Sequence, residues 1–405
     1  MNDRRGVAKL TKNRNLLVFL LAISCGALVA NLYYAQPIIQ YISDDLNMSE
    51  TMSGLLTTLT QLGYGVGLFF LVPMADLFRV KKLVVILISG TILSLLFIMM
   101  ATNGVFFLLF TMLLGVGACA AQILVPIAVR IAPSEETGKY VGRVMSGLLI
   151  GIMIARPLSI EIMNWFGWKM VFLLSFLILI GVLLLIMKFL PNFDAESSTL
   201  ITYPSLIKSM VNLLKHTGPL KQRAFYHACI FATLSLYWTV LPIFLRTENF
   251  SNTEIALIGL VSIAGALLTP TFGHLGDKGY IYSLTIVAML LVILSMLLLF
   301  FVHSHSILAI VLIIISGLCL DIGVSGNLVL GQKVIFSLDS SVRNRLNGLY
   351  MTIFFLGGAF GSWIGGYSYY SFNVEIAFMI GMVLPLIALV VHLSKYKKVY
   401  QGKEA

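Results

Sequence analysis

The chain has 405 residues, 59% of them apolar and only 11% charged, against about 25% charged in an average soluble domain. That excludes a water-coated globule and makes lipid the main solvent. The formal charge of +10, from 27 Lys and Arg against 17 Asp and Glu, would raise the question of nucleic acid in a soluble chain; here the placement of the basic residues answers it.

Arg4, Arg5, Lys9, Lys12 and Arg14 precede an apolar run that begins at Leu16 and reaches Ile39. This run is longer than a signal peptide's apolar core and has no small-residue cleavage site, so a retained first helix is expected. Apolar segments and their Gly and Pro breakers predict helices over 16–40, 53–73, 83–101, 105–128, 141–163, 169–190, 224–246, 254–272, 283–302, 306–332, 346–367 and 374–394. The expected fold is therefore an all-α membrane protein of twelve transmembrane helices. A polar stretch, 191–223, with Asp194, Glu196, Pro204 and Pro219, divides it into an N-terminal six-helix bundle (1–190) and a C-terminal one (224–405). With the N-terminus in the cytoplasm, every basic residue falls on inner segments except Lys169 and Arg246 outside and Arg156 within a span. The positive-inside rule thus places both termini and the linker in the cytoplasm. Cys25, Cys119, Cys229 and Cys319 all lie within apolar segments, as small packing residues rather than a disulfide framework.

The halves repeat one another at a shift of roughly 200 residues. Pro73-Met74-Ala75-Asp76-Leu77-Phe78-Arg79-Val80-Lys81-Lys82 answers to Gly273-His274-Leu275-Gly276-Asp277-Lys278-Gly279, and Gly142-Arg143-Val144-Met145 through Gly151 answers to Gly348-Leu349-Tyr350-Met351 through Gly357. Two pseudo-symmetric bundles suit transport by rocking about a midplane site.

This pattern resembles the major facilitator superfamily over nearly the whole chain. The family's Gly-x-Leu-x-Asp-x-x-Gly-Arg-Lys loop is recognisable at Gly273 to Gly279 and degraded around Asp76. Asn31-Leu32-Tyr33-Tyr34-Ala35-Gln36-Pro37, Gly147 through Arg156, and Arg343-Asn344-Arg345-Leu346-Asn347-Gly348 are similar to segments of bacterial members of the twelve-span drug:proton antiporter branch. The resemblance implies a secondary transporter of the bacterial inner membrane. Two positions depart from that branch: Thr111 stands where many proton antiporters carry an arginine, and Arg156-Pro157 replaces a Gly-Pro pair.

Ionisable groups at membrane depth are costly and mark functional positions by default. Asp321, midway along the tenth span, is the candidate for binding a proton or cation; the competing reading is a carboxylate held by neighbouring polar groups. For Arg156 three roles compete: a salt-bridge partner, a contact for an anionic substrate, or a rim residue snorkelling to the surface. Asn31, Tyr33, Tyr34, Gln36, Gln61, Tyr64, Gln122, Tyr237, Trp238 and Asn327 are the candidate cavity residues, offering hydrogen bonds and ring faces for organic cations. His227 is expected near the cytoplasmic entrance, as an ordinary interfacial histidine. Asp76, Lys81, Asp277, Arg143 and Arg345 are candidates for a cytoplasmic gate. Glycines at 147, 151, 357, 358, 361, 365 and 366 let the fifth and eleventh helices pack closely.

No phosphate-binding Gly-x-x-x-x-Gly-Lys-Ser/Thr loop and no metal-ligand spacing occurs, so neither an enzyme nor a cofactor is expected. The leading expectation is proton-coupled export of a small amphipathic drug or metabolite by a monomer, without nucleic acid. The alternatives are uptake or facilitated diffusion of an anionic metabolite through Arg156, and a non-transporting receptor or scaffold.

Overall fold

The computed structural model describes residues 14–133, 137–192, 202–267, 269–338 and 342–400. The basic tail before Arg14 and the predicted linker residues 193–201, including Asp194 and Glu196, lie outside the described residues. All regular structure among the described residues is helical. The helices are α1 Arg14–Ala30, α2 Ile39–Asp45, α3 Glu50–Phe70, α4 Val80–Met99, α5 Gly104–Ala118, α6 Ala120–Ile131, α7 Thr137–Phe166 and α8 Trp168–Phe189, then α9 Tyr203–His216, α10 Gly218–Thr247, α11 Asn252–Leu267, α12 Thr269–Asp277, α13 Ile281–Leu299, α14 Ile307–Phe336, α15 Arg343–Ser371 and α16 Val374–Tyr400.

Ten helical segments among the described residues are long and apolar enough to cross a bilayer. The first predicted span is not one helix. Its α-helix stops at Ala30, a turn follows, and Gln36–Ile38 form a short 3-10 segment ahead of α2. Pro37 sits in the first turn of that short segment, where its missing N–H costs no helix bond. The predicted fourth span is divided at Cys119 into α5 and α6. The eighth comprises α11 and α12, on either side of Leu268, which lies outside the described residues. The described part of the predicted linker includes a helix, α9. Within it α9 buries Leu206 and Met210 while exposing Lys208 and Lys215, as an amphipathic helix does. The Tyr203 hydroxyl donates to the Phe70 carbonyl at 2.8 Å.

Contacts divide the chain into two compact units, residues 1–48 with 59–209, and residues 49–58 with 210–405. In the first, α1 packs on α7 along a seam of small residues. A Cβ on Gly26 would stand 2.5 Å from the Gly147 carbonyl oxygen, and one on Gly147 would stand 2.6 Å from the Ala22 carbonyl. In the second, α10 packs on α15 in the same manner: a Cβ on Gly357 would lie 2.5 Å from the Ala228 carbonyl oxygen, and one on Gly361 would overlap that of Ala232. Small residues let backbones approach where lipid supplies no hydrophobic drive to association. α10 is apolar on all sides and buried nearly throughout, from Arg223 to Leu245, which makes it the centre of the second unit.

The repeat also shows in how two helices end. Asn47 (φ +50°) and Asn249 (φ +65°) both adopt left-handed backbone. Beside them Met48 N–H reaches the Ser43 carbonyl and Phe250 N–H the Leu245 carbonyl, each at 2.9 Å. This is the six-to-one bond of a Schellman stop, and asparagine tolerates the left-handed residue it needs. Ser49 and Ser251 then cap α3 and α11: Met52 N–H points at Ser49 Oγ at 3.4 Å, and Glu254 N–H at Ser251 Oγ at 3.3 Å. In the second copy Glu254 also accepts from the Ser251 N–H at 2.8 Å, completing a capping box. Its other oxygen meets His305 Nε2 at 2.8 Å.

Candidate functional site

The break in the first span carries the polar residues that the sequence singled out. Asn31 ends α1 by donating to the Ala27 carbonyl at 2.8 Å, and its oxygen accepts from the Ser175 hydroxyl at 2.7 Å, which ties the break to α8. The chain then turns, with Leu32 and Tyr33 N–H groups returning to the Val29 and Ala30 carbonyls. This brings Tyr33 and Gln36 to Arg156 on α7. The guanidinium lies 4.9 Å from the Tyr33 ring centroid, within cation–π range, and its Nε donates to Gln36 Oε1 at 3.2 Å.

Arg156 is only 3% exposed. α7 continues ten residues beyond it, to Phe166, so the snorkelling reading fails: the side chain turns inward onto the first span instead of outward. Pro157 follows directly inside α7 and removes one N–H from the helix ladder. A permanent charge, a helix interruption and an aromatic face therefore coincide at one buried position of the first unit. Tyr34, at 6% exposure, is buried beside them in the chain.

Other candidates of this unit join helices to one another. Gln122 Nε2 donates to the Tyr64 hydroxyl at 3.2 Å, linking α6 to α3, with Gln61 buried one turn away. Thr111, where the antiporter pattern has an arginine, returns its hydroxyl to the Leu108 carbonyl at 2.9 Å and supplies no charge. Among the gate candidates, Lys81 Nζ donates to the Met187 carbonyl at 2.8 Å, where a cation suits a helix C-terminus. Arg143 Nη1 donates to Asn15 Oδ1 at 3.1 Å. Asp76 ends the 3-10 segment Val72–Asp76, Arg345 is partly buried in the first turn of α15, and the Asp277 side chain lies outside the described residues.

In the second unit, Asp321 is the fifteenth of the thirty residues of α14 and is partly buried. Tyr237 and Trp238 are adjacent on α10, at 0% and 3% exposure, with rings edge to face at 5.2 Å. Asn327 pairs with His227: the Asn327 amide nitrogen and His227 Nδ1 are 2.8 Å apart. His227 is 0% exposed, which corrects the expectation of an interfacial histidine. It stacks on Phe354 at 4.4 Å and on Tyr350 at 5.4 Å.

The reason is the start of α10. The helix begins at Gly218, with Pro219 in its first turn, rather than at residue 224, so His227 lies more than two turns inside. Proline in a first helical turn is a start signal, and reading it would have moved the boundary. The same shift exposes a missed residue. Arg223, counted as a linker cation, is 9% exposed and donates from Nη1 to the Thr285 hydroxyl on α13 at 2.9 Å.

The chain as a whole is similar to known proteins. Over 353 residues the chain is 35% identical to the uncharacterized transporter YgaY of Escherichia coli O157:H7, covering 86% of this chain and 87% of that protein. Among solved structures, the nucleoside transporter NupG superposes with a TM-score of 0.75 at 12% identity, covering 93% of this chain and 99% of that one. A bacterial homologue of the human lysosomal transporter Spinster, in an inward-facing and occupied conformation, gives 0.74 at 14% identity, covering 96% and 98%. At such identities these two structures establish the fold alone. The sequence profile of the Major Facilitator Superfamily matches residues 18–335 and 224–404, and the chain is a multi-pass membrane transporter belonging to that family.

Proposed function

We propose that the protein is a proton-coupled exporter of a small amphipathic drug or metabolite, working by alternating access in the bacterial inner membrane with both termini cytoplasmic. The observation that carries this reading is the placement of Asp321. It is a carboxylate at the midpoint of an apolar helix, and its partial exposure leaves it reachable. A reachable carboxyl group at that depth is a group that can bind and release a proton. Proton binding from outside would drive release of substrate taken from inside, and Tyr237 and Trp238, paired edge to face on α10, are the aromatic candidates for contact with an organic solute once the bundle opens.

Reconstituted vesicles with an imposed pH gradient test this. Asp321→Asn is expected to abolish proton-driven flux while substrate-dependent thermal stabilisation persists. Full proton-driven transport by a correctly folded Asp321→Asn protein would overturn the assignment.

The burial of Arg156 favours a second reading, transport of an anionic metabolite. A buried guanidinium beside an aromatic ring is the type of group that recognises a carboxylate or phosphate. Counterflow with anion and cation panels separates the two readings: an anion signal that survives Arg156→Lys unchanged removes Arg156 from substrate contact.

A further inference from the structure

The first unit carries a surface groove that neither reading above uses. Small residues hold α1 and α7 together at Ala22 and Gly147, and one turn nearer the helix starts the long side chain of Arg143 spreads them. The result is an open groove of about 320 Å3, lined by Asn15, Val18, Phe19 and Ala22 of α1 and by Arg143 of α7.

The two ends of the groove differ in chemistry. At one end Arg143 Nη1 donates to Asn15 Oδ1 at 3.1 Å, and the guanidinium lies 6.0 Å from the Tyr140 ring centroid. Arg143 is exposed and makes no other hydrogen bond or ion pair among the described residues, so the rest of its donor fork is open to a ligand. With its oxygen accepting from Arg143, the Asn15 amide also presents N–H donors there. No carboxylate lines the groove, and no acidic residue occurs from Arg4 through Ser43. The other end is apolar: Val18 is buried beneath it and Phe19, 63% exposed, stands beside it. From there an apolar strip continues along both helices, with Ile23 on α1 and Ile150 and Ile154 on α7 all exposed. In a multi-pass membrane protein, acyl chains cover such a strip.

We propose that this groove binds an anionic phospholipid. Its phosphate pairs with the Arg143 guanidinium and the Asn15 amide, because a planar fork of donors matches phosphate oxygens. One acyl chain lies over Val18, between Phe19 and Ala22, and runs on along the apolar strip. A cation between transmembrane helices with apolar surface leading away from it is the arrangement that recognises a charged headgroup. The proposal is independent of the roles given to Asp321 and Arg156.

Two measurements on the full-length protein test it. In native mass spectrometry from detergent, dioctanoyl phosphatidylglycerol is expected to bind about tenfold or more tightly than dioctanoylglycerol, which lacks the phosphate, and than glycerol 3-phosphate, which lacks the chains. Arg143→Gln should remove that preference, and Arg143→Lys, which keeps the charge without the fork, should retain part of it even where Arg143→Gln fails to fold. In phosphatidylcholine nanodiscs doped with phosphatidylglycerol that carries a diazirine on one acyl chain, illumination should label the α1 peptide across Val18–Ala22 more than the exposed α4 surface at Ile86 and Leu93. Arg143→Lys should lower the α1 label and leave the α4 label unchanged. Equal labelling of α1 and α4, an α1 label indifferent to Arg143, or equal binding of phosphatidylglycerol and dioctanoylglycerol overturns the proposal. Glycerol 3-phosphate binding as tightly as the lipid would also overturn it, by making the groove a site for a soluble anion.

Discussion

Arg156 Nε donates to Gln36 Oε1 across 120 positions of sequence, at 3.2 Å. The amide oxygen belongs to a 3-10 segment, and the guanidinium precedes a proline inside a long helix. The bond thus joins two places where regular backbone is interrupted. Removing the acceptor leaves a buried cationic donor unmatched, which costs about 1–3 kcal/mol. Gln36→Leu is expected to lower the thermal unfolding midpoint in detergent, and Gln36→Glu to preserve it by supplying an oxygen. Equal midpoints for Gln36→Leu and the parent would show that Arg156 does not depend on this contact.

The glycine seams give a contrast between positions. Gly361 meets the Ala232 backbone, whereas Gly181 in α8 has no atom within 4 Å of where a Cβ would lie. Gly361→Val should destabilise by about 1–3 kcal/mol or more through overpacking, while Gly181→Ala should gain about 0.5–1 kcal/mol from reduced backbone freedom in the unfolded chain. Denaturant titration of the two variants side by side decides it; matching losses would contradict the close approach of α10 and α15.

Helix stops supply a third test. Asn249 holds φ at +65°, a conformation costing an ordinary L-residue about 1–2 kcal/mol. Asn249→Gly should be neutral in thermal unfolding and Asn249→Val clearly destabilising. A neutral Asn249→Val would argue against the left-handed stop.

Glu254 precedes the apolar run of α11, and its carboxyl is pulled down from 4.5 to about 2, first by the Ser251 backbone N–H, then by His305 and the Ser251 hydroxyl. Because the folded value is depressed, the stabilisation is fully present above pH 4.5 and is lost as pH falls toward 2. Glu254→Gln should therefore flatten the decline of unfolding midpoint over that window, with little change near pH 7 in the slope. An unchanged acid profile would show that the carboxylate contributes nothing to folding.

Much of this molecule is legible in its sequence because lipid leaves few options: apolar length marks a span, basic residues mark a face, and glycines mark close helix pairs. The position of Arg156 within a span was readable, but its inward direction was not, since that depends on α1 ending at Ala30. Pro37 was visible, yet the Asn31 bond across to Ser175 at the break ahead of it was not. Similarly, Gln122 and Tyr64 read as cavity polar groups, and nothing in the sequence indicated that the Gln122 amide donates to the Tyr64 hydroxyl. Long-range pairing of amides and hydroxyls leaves no periodic trace. Arg223 and His227 were misplaced for a smaller reason, a helix start set six residues late, although Pro219 carried the signal.

The matched stops at Asn47 and Asn249 bear on how the protein is made. Each is closed by bonds contained within Ser43–Met48 and Leu245–Phe250, and the Ser49 and Ser251 caps lie immediately after. Nothing from later in the chain is needed to form them. At the corresponding point of each half, a nascent chain leaving the ribosome can therefore finish one helix and begin the next before its bundle partners have been synthesised.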